Sequence, residues 1–553
     1  VPTPDREVHD VSRSLKRALQ VLVPAGLALA LYLPTWSPVI TWAHSGEDGP
    51  ELEAVGRTLG VAHPSGYPLL TLLVRAVSVL VPPPVSALNV VTLLAALAAV
   101  AAVAAAGRAL GARLRLGDGV PVETAGLVGA ALFAVSLTWW RQSVIGEVYP
   151  LHLAIIASAL GLVWAGGARR SLLAAWILGL GLAHHLQTVP FLLVIAAYLL
   201  LSGRFKPRLA VVACLIAPLS LYLVPVLRAR SHPALNWGDP ETLRNLWWSI
   251  SGAQYRGNLF AEGPAPVLAR WGDAALRSPV EQLGWGGAIL GLVGLLVVAR
   301  KAPREAATLA LLYFGTTFTA AAYAIPDSAA YHLPAILALA LAAGAGGAWI
   351  LAAGLRAARR GGRLALAPAG AVLGALLAVV AVQAVRAAPL ADARHDRGAY
   401  EYARDAVAAL PPNALVLSHG DGRTFSLWYA VTVLDPRPDV VILCDNLLDW
   451  PWYRESLRAQ HPRLPLPPTG LSRPILRGAI FERFLDERPV FTTEIEPELQ
   501  DLFTGDPAGP LFRVRRLPRA GAEATIAGAS SGTTRKGSPD PSGTESRTRR
   551  SLR

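Results

Sequence analysis

The sequence predicts an α-helical polytopic membrane protein of about eleven spans plus a re-entrant or interfacial helix, with a C-terminal extracytoplasmic α/β domain. Three observations predict it. Only 16% of the 553 residues are charged, where soluble domains run near a quarter. Apolar runs of about 20 residues recur along most of the chain, the length a helix needs to cross hydrocarbon. Between about residues 393 and 518 the composition changes to short apolar strands among amphipathic helices.

The spans are read at 16–36, 86–106, 125–140, 148–166, 171–187, 189–202, 208–227, 283–300, 307–325, 331–354 and 364–386. The first run lacks a small-residue cleavage site and is long enough to span, so it is expected to be a helix and not a cleaved leader. Basic residues fall in alternate connections: Arg13, Lys16 and Arg17, then Arg108, Arg113 and Arg115, then Arg169 and Arg170. Arg204, Lys206 and Arg208, Arg300, Lys301 and Arg304, and the arginines at 356–363 continue the pattern. With eleven spans all lie on one side, assigned to the cytoplasm together with the N-terminal segment 1–15. This topology signal absorbs most of the net charge of +13, and no nucleic-acid motif accompanies it. Cys214 and Cys444 are not expected to pair.

The run "LLTLLVRAVSVLV" at 69–81 does not fit as a further span, because it would move the 108–115 cluster outside. Its length suits a re-entrant or interfacial helix. Arg75 within it would cost ~2.5–3.5 kcal/mol at mid-membrane. It should therefore face an aqueous or anionic cavity, or snorkel to headgroups. In the C-terminal region, "NALVLSHGD" and "PDVVILCD" read as buried strands ending in polar residues. Residues 519–553 are basic and rich in Ser, Thr and Gly, and are expected to be disordered.

The segments assigned outside carry the chemistry. Asp48 and Glu51 flank Gly-Pro ahead of the amphipathic stretch "ELEAVGRTLG". Acids there can simply cap a helix. On the same side lie Glu147 with Arg141, His184 and His185, Asp327 and His332, and Arg228 with Asp239. Ionisable residues beside apolar spans are costly and mark function. Acids, bases and cations on one face of a bundle suit holding an anionic headgroup and deprotonating a bound nucleophile. His184 and His185 lack a third ligand at tight spacing, so no metal site is assigned.

The stretch "TWAHSGEDGPELEAVGRTLGVAHPSGYPLLTLLVRAVSVL" resembles a bacterial membrane family of unknown function related to the animal transmembrane protein O-mannosyltransferases. The family pattern is an acidic D-x-x-E, then L-G-[IV]-x-H-P-x-G-Y-P-L, then an Arg in an apolar helix. Asp48, Glu51, His63, Pro64, Gly66, Tyr67, Pro68 and Arg75 match it. "EVYPLHLA", "GLGLAHHLQT", "LNWGDP", "YAIPDSAAYHLP" and "SHGDGRTFSLWYAV" follow in order, so the resemblance covers about residues 20–515. The family's acidic turn is usually Gly-Asp-Ser-Gly-Glu. Here it is Glu-Asp-Gly-Pro-Glu, which favours Asp48 over Glu47 as the matching acid. The family's Gly-Asp-Asn-Asp-Thr-Phe is here Gly-Asp-Gly-Arg-Thr-Phe, one acid fewer.

The resemblance implies a GT-C-like catalytic domain over 16–390, with outer loops 37–85 and 228–282, and an extracytoplasmic domain over 393–518. It implies transfer of a mannose-like sugar, with inversion, from a polyprenyl-phosphate donor to an acceptor hydroxyl such as a protein Ser or Thr. A bacterial inner membrane is the expected location. Asp48 would be the base and Glu51 its catalytic partner. His63, Tyr67, Glu147, His185 and Asp327 would position sugar or acceptor. Arg75, Arg141 and Arg228 would hold the lipid phosphate, with Asp421 an outer-domain candidate. No cofactor beyond the lipid-linked sugar and no divalent metal is expected. The partners are then the bilayer, the donor and an acceptor protein or glycan. Two other readings remain open. A flippase or transporter of a lipid-linked substrate would show inverted repeats and broken helices. A non-catalytic envelope scaffold would not need Asp48.

Overall fold

The computed structural model describes residues 22–116, 119–201, 209–325, 328–360 and 367–518. The expected cytoplasmic N-terminus 1–15, Asp327 and the 519–553 tail lie outside the described residues. The helices, in chain order, are α1 (Leu22–Thr35), α2 (Gly49–Thr58), α3 (Pro68–Ser78), α4 (Ala87–Arg113) and α5 (Val120–Ala134). They continue with α6 (Leu137–Ser143), α7 (Tyr149–Ala165), α8 (Ala168–Leu182), α9 (Thr188–Leu201) and α10 (Leu209–Ala229). Then come α11 (Leu243–Ile250), α12 (Pro264–Lys301), α13 (Pro303–Ala322), α14 (Leu333–Arg360) and α15 (Ala367–Ala391). The C-terminal unit adds α16 (Gly398–Ala409), α17 (Asp421–Tyr429), α18 (Pro451–Gln460) and α19 (Arg473–Phe484).

Among the described residues, helix covers most of each stretch read as a span, but the boundaries differ in informative ways. Five described helices are long and apolar enough to cross a membrane, six if the bent pair α5–α6 counts as one. α1, α7 and α9 are apolar but shorter. The expected span 125–140 is instead α5, a 70° break, and α6. The expected loop 228–282 contains the first half of α12, which runs from Pro264 and breaks its helical geometry at Gly284 (φ 68°, ψ 173°). Its polar sequence "RWGDAALRSPVEQL" hides that half from a hydropathy reading.

The centre of the bundle is α4 against α5 and α7, and α14 against α5 and α12. Small residues make these contacts close. A Cβ on Gly294 would come within 1.7 Å of the Ala342 carbonyl oxygen, and one on Gly344 within 2.2 Å of that of Ala125. Where lipid supplies no hydrophobic drive between helices, such backbone approach is what holds them.

The C-terminal unit is a five-stranded sheet of order β2-β1-β3-β5-β4. β1 (Leu415–Ser418), β2 (Val441–Cys444) and β3 (Val490–Thr492) are parallel and buried along their length. β5 (Leu511–Arg516) runs antiparallel to β3 and to β4 (Phe503–Ala508). Continuous apolar runs are what a parallel sheet covered on both faces requires. Trp237 of the 228–282 region packs on Phe425, Trp428 and Trp452, with centroids 5.7–6.0 Å apart. Trp42 Nε1 donates to Gly422 O (3.2 Å), and Thr41 Oγ1 to Asp396 Oδ1 (2.5 Å). These contacts set the start of α17, at the carboxyl end of β1, against the loop carrying Asp48.

Candidate active site

The acidic turn separates two carboxylates by function. Asp48 is the N-cap residue of α2, followed by Gly49 and Pro50, yet its side chain makes no capping hydrogen bond. Glu51, one turn on, is buried and turned towards the segment 59–67. Its Oε1 accepts the backbone N–H of His63 (3.0 Å), and its Oε2 lies 2.9 Å from His63 Nδ1. The other ring nitrogen, Nε2, is 3.6 Å from Asp48 Oδ2. His63 therefore sits between two carboxylates. Burial opposes its charge, but Asp48, then Glu51, with Asp421 further off, outweigh that and raise its pKa to about 9. At neutral pH the ring is an imidazolium, a donor on both nitrogens and no base.

Around this pair lies a cavity of about 630 Å³. Glu47, Asp48 and Asp421 bring three acids to it. Tyr67, Tyr149, Tyr255, Tyr323 and Tyr331 line it with rings and hydroxyls, and Arg256 and Asn258 come from the loop after α11. Leu186, Pro190 and Leu259 supply an apolar stretch. The Tyr67 ring meets His63 edge-on at 5.1 Å, and Tyr149 lies 5.7 Å from His185.

Of the residues singled out in the sequence, Asp48, His63, Tyr67, His185 and Asp421 line the cavity. Glu51 stands behind His63. Glu147 is buried beside the lining residues Val148 and Tyr149, and its Oε2 accepts Val148 N–H (3.2 Å). The three arginines expected to hold phosphate do not line the cavity. Arg75 Nη1 donates to Arg57 O (2.7 Å), and Arg228 Nε to Leu59 O (2.7 Å), both at the C-terminal end of α2. Arg141 Nε donates to Leu390 O (3.0 Å). Each is turned to a carbonyl near a helix end, groups that lack intrahelical partners. Among the described residues, Arg256 is the arginine that lines the cavity; it sits in a polar loop, "QYRGN", that the sequence reading did not single out. Glu47, set aside in favour of Asp48, also lines the cavity. Among the described residues no group of three His, Cys, Asp or Glu side chains is arranged to hold a metal ion.

Comparison with known proteins follows this geometry. Residues 48–208 match the family model "Protein O-mannosyl-transferase TMEM260 N-terminal domain", a match that begins at Asp48. Residues 399–469 match "TMEM260-associated domain 2". Two stretches of the chain are thus similar to TMEM260 domains. The chain is 23% identical over 501 residues to protein O-mannosyl-transferase tmem260 of Dictyostelium discoideum, covering 81% of this chain and 60% of that one. It is 24% identical over 487 residues to the TMEM260 protein O-mannosyl-transferase of Mus musculus, covering 82% and 66%. The chain thus spans 60–66% of the length of these curated relatives. The crystal structure of ArnT from Cupriavidus metallidurans bound to undecaprenyl phosphate superposes with a TM-score of 0.54 at 13% identity, over 89% of this chain and 97% of that one. The chain is an integral membrane protein with the GT-C fold.

Proposed function

We propose that this protein transfers a mannose-like sugar from a polyprenyl-phosphate donor to an acceptor hydroxyl, such as a protein Ser or Thr, at the extracytoplasmic face. The observation that carries the reading is Asp48, backed by the His63–Glu51 pair, at the wall of an aromatic cavity in a GT-C fold. The printed names of the relatives support the sugar and the reaction, and the lipid in the ArnT structure supports the donor class.

An acceptor hydroxyl is a poor nucleophile near neutral pH. Asp48 takes its proton as the oxygen attacks the anomeric carbon. The bond from that carbon to the phosphate oxygen breaks, and polyprenyl phosphate leaves with the electron pair. One displacement inverts the anomeric centre. His63 holds Asp48 by charge, and Glu51 holds His63. Arg256 steadies the leaving phosphate, a role for which guanidinium geometry is suited. Tyr67, Tyr149 and His185 shape the sugar and acceptor pocket, with Glu147 supporting that wall. Asp421 brings the outer domain to the same pocket. The positive-inside pattern supports a cytoplasmic N-terminus and an outer C-terminal domain; the membrane of this reading is a bacterial inner membrane.

The test is transfer from polyprenyl-phosphate mannose to a Ser/Thr peptide by purified protein. Asp48→Asn should fold normally and lose ~10²-fold or more in rate, the scale of a lost general base. A near wild-type rate would remove Asp48 from catalysis. If Glu47→Gln then carried the loss, the base would be the neighbouring acid.

A further inference from the structure

We propose that the opposite end of the bundle holds a second site, for a phosphate-bearing anion. A cavity of about 690 Å³ opens there between the end of α4 and the junction of α12 and α13. Among the described residues, Arg113, Arg115, Lys301 and Arg304 line it against one carboxylate, Glu305. Its floor is organised. Glu305 is buried, and Tyr198 donates its hydroxyl to Glu305 Oε1 (3.0 Å). Arg113 Nε donates to Trp164 O (3.0 Å), and its Nη1 lies 3.9 Å from Glu305 Oε1. Its rim is cationic. Arg115, Lys301 and Arg304 are exposed and, among the described residues, have no carboxylate within 4.0 Å.

Basic residues that only set topology ride on solvated loops and need no pocket. Here four cations from two distant stretches of chain surround one concavity, and the buried Tyr198 and Glu305 hold the half-buried Arg113 in its wall. Such a site lowers the energy of a bound anion, and guanidinium and ammonium groups suit phosphate oxygens. At a membrane surface the chemistry fits the headgroup of an anionic phospholipid. A soluble phosphate shares that chemistry.

The full-length protein in zwitterionic detergent, examined by native mass spectrometry with phosphatidylglycerol or phosphatidylcholine, tests this. Phosphatidylglycerol should be retained roughly tenfold over phosphatidylcholine. The triple variant Arg115→Gln, Lys301→Gln, Arg304→Gln should lose that preference. Raising salt from about 0.1 to about 0.5 M should weaken it in the unaltered protein, a readout that stands if the variant fails to fold. Inorganic phosphate in a separate arm distinguishes the sources: displacement of the lipid by millimolar phosphate makes a soluble anion the ligand, and its failure to displace makes it the headgroup. Equal retention of both lipids, with no binding of inorganic phosphate, would overturn the site and leave these cations a topology signal.

Discussion

At the scale of single residues, Asp48 and Glu51 are one helical turn apart and part company. Asp48 faces the cavity, while Glu51 is spent on His63 from behind. The pKa of His63 rises on folding, from its ordinary 6.5 to about 9. Its stabilising effect is therefore fully present below pH 6.5 and is lost as pH rises through about 9. The ceiling is on the order of 3 kcal/mol. Thermal unfolding of the purified protein should show a falling melting temperature across that window, and Glu51→Gln should flatten it. A melting temperature insensitive to pH there would mean a neutral imidazole. The arginines make a second contrast. Arg256→Gln should lower transfer by roughly tenfold or more if it steadies the leaving phosphate. Arg75→Gln should spare the chemical step, since its guanidinium is engaged with a carbonyl outside the cavity. The reverse order of effects in the transfer assay would restore the arginine of the apolar helix to the phosphate role. Charge and neighbouring motif marked Asp48, Glu51, His63 and Arg75 in the sequence, but not Arg256. Which of them share a cavity depends on side-chain direction, to which spacing is blind.

At the scale of elements, α2 is the platform, and it is braced where the sequence shows little sign of it. Glu53 is fully buried. It accepts from Arg57 Nε (2.5 Å), Ser86 Oγ (3.1 Å) and the backbone N–H groups of Ala87 (3.0 Å) and Leu88 (2.7 Å). One carboxylate thus satisfies free donors at the start of α4 and ties that helix to the platform. Glu53→Gln would turn an amide N–H₂ towards backbone donors and leave Arg57 without its counter-charge. Destabilisation of about 3 kcal/mol is expected, visible as a lower melting temperature, with little change in transfer by the protein that remains folded. An unchanged melting temperature would show that water replaces the carboxylate at no cost. Only the Arg57 partner, four residues away, could be suspected from the sequence. The other partners lie more than thirty residues on. α12 escaped for a different reason: its first half is helical but polar, and hydropathy marks only the apolar half.

At the scale of the whole molecule, described residues from several segments assigned outside meet at the cavity of Asp48, while Arg113, Arg115, Lys301 and Arg304 meet at another. A reporter fused after Leu390 should be active only in its extracytoplasmic form, and a cytoplasmic signal would invert the molecule and the proposed site with it. The C-terminal unit does more than hang from α15. Through Trp237 and Gly422 it sets Asp421 on the same cavity as Asp48. Membrane residence, the helical class and the α/β character of the C-terminal unit were determined by the sequence alone, because hydrocarbon admits only long apolar helices and a covered parallel sheet demands continuous apolar runs. The acidic turn and the His-Pro-x-Gly-Tyr-Pro segment likewise announced themselves as motifs. The tertiary structure alone decided that Glu51 serves His63, that Arg256 and not Arg75, Arg141 or Arg228 faces the cavity, and that Asp421 reaches it from more than 370 residues away. The physical reason is that burial and periodicity are written locally along a chain, whereas a carboxylate's partner is whatever the packing of distant helices places within about 3 Å of it.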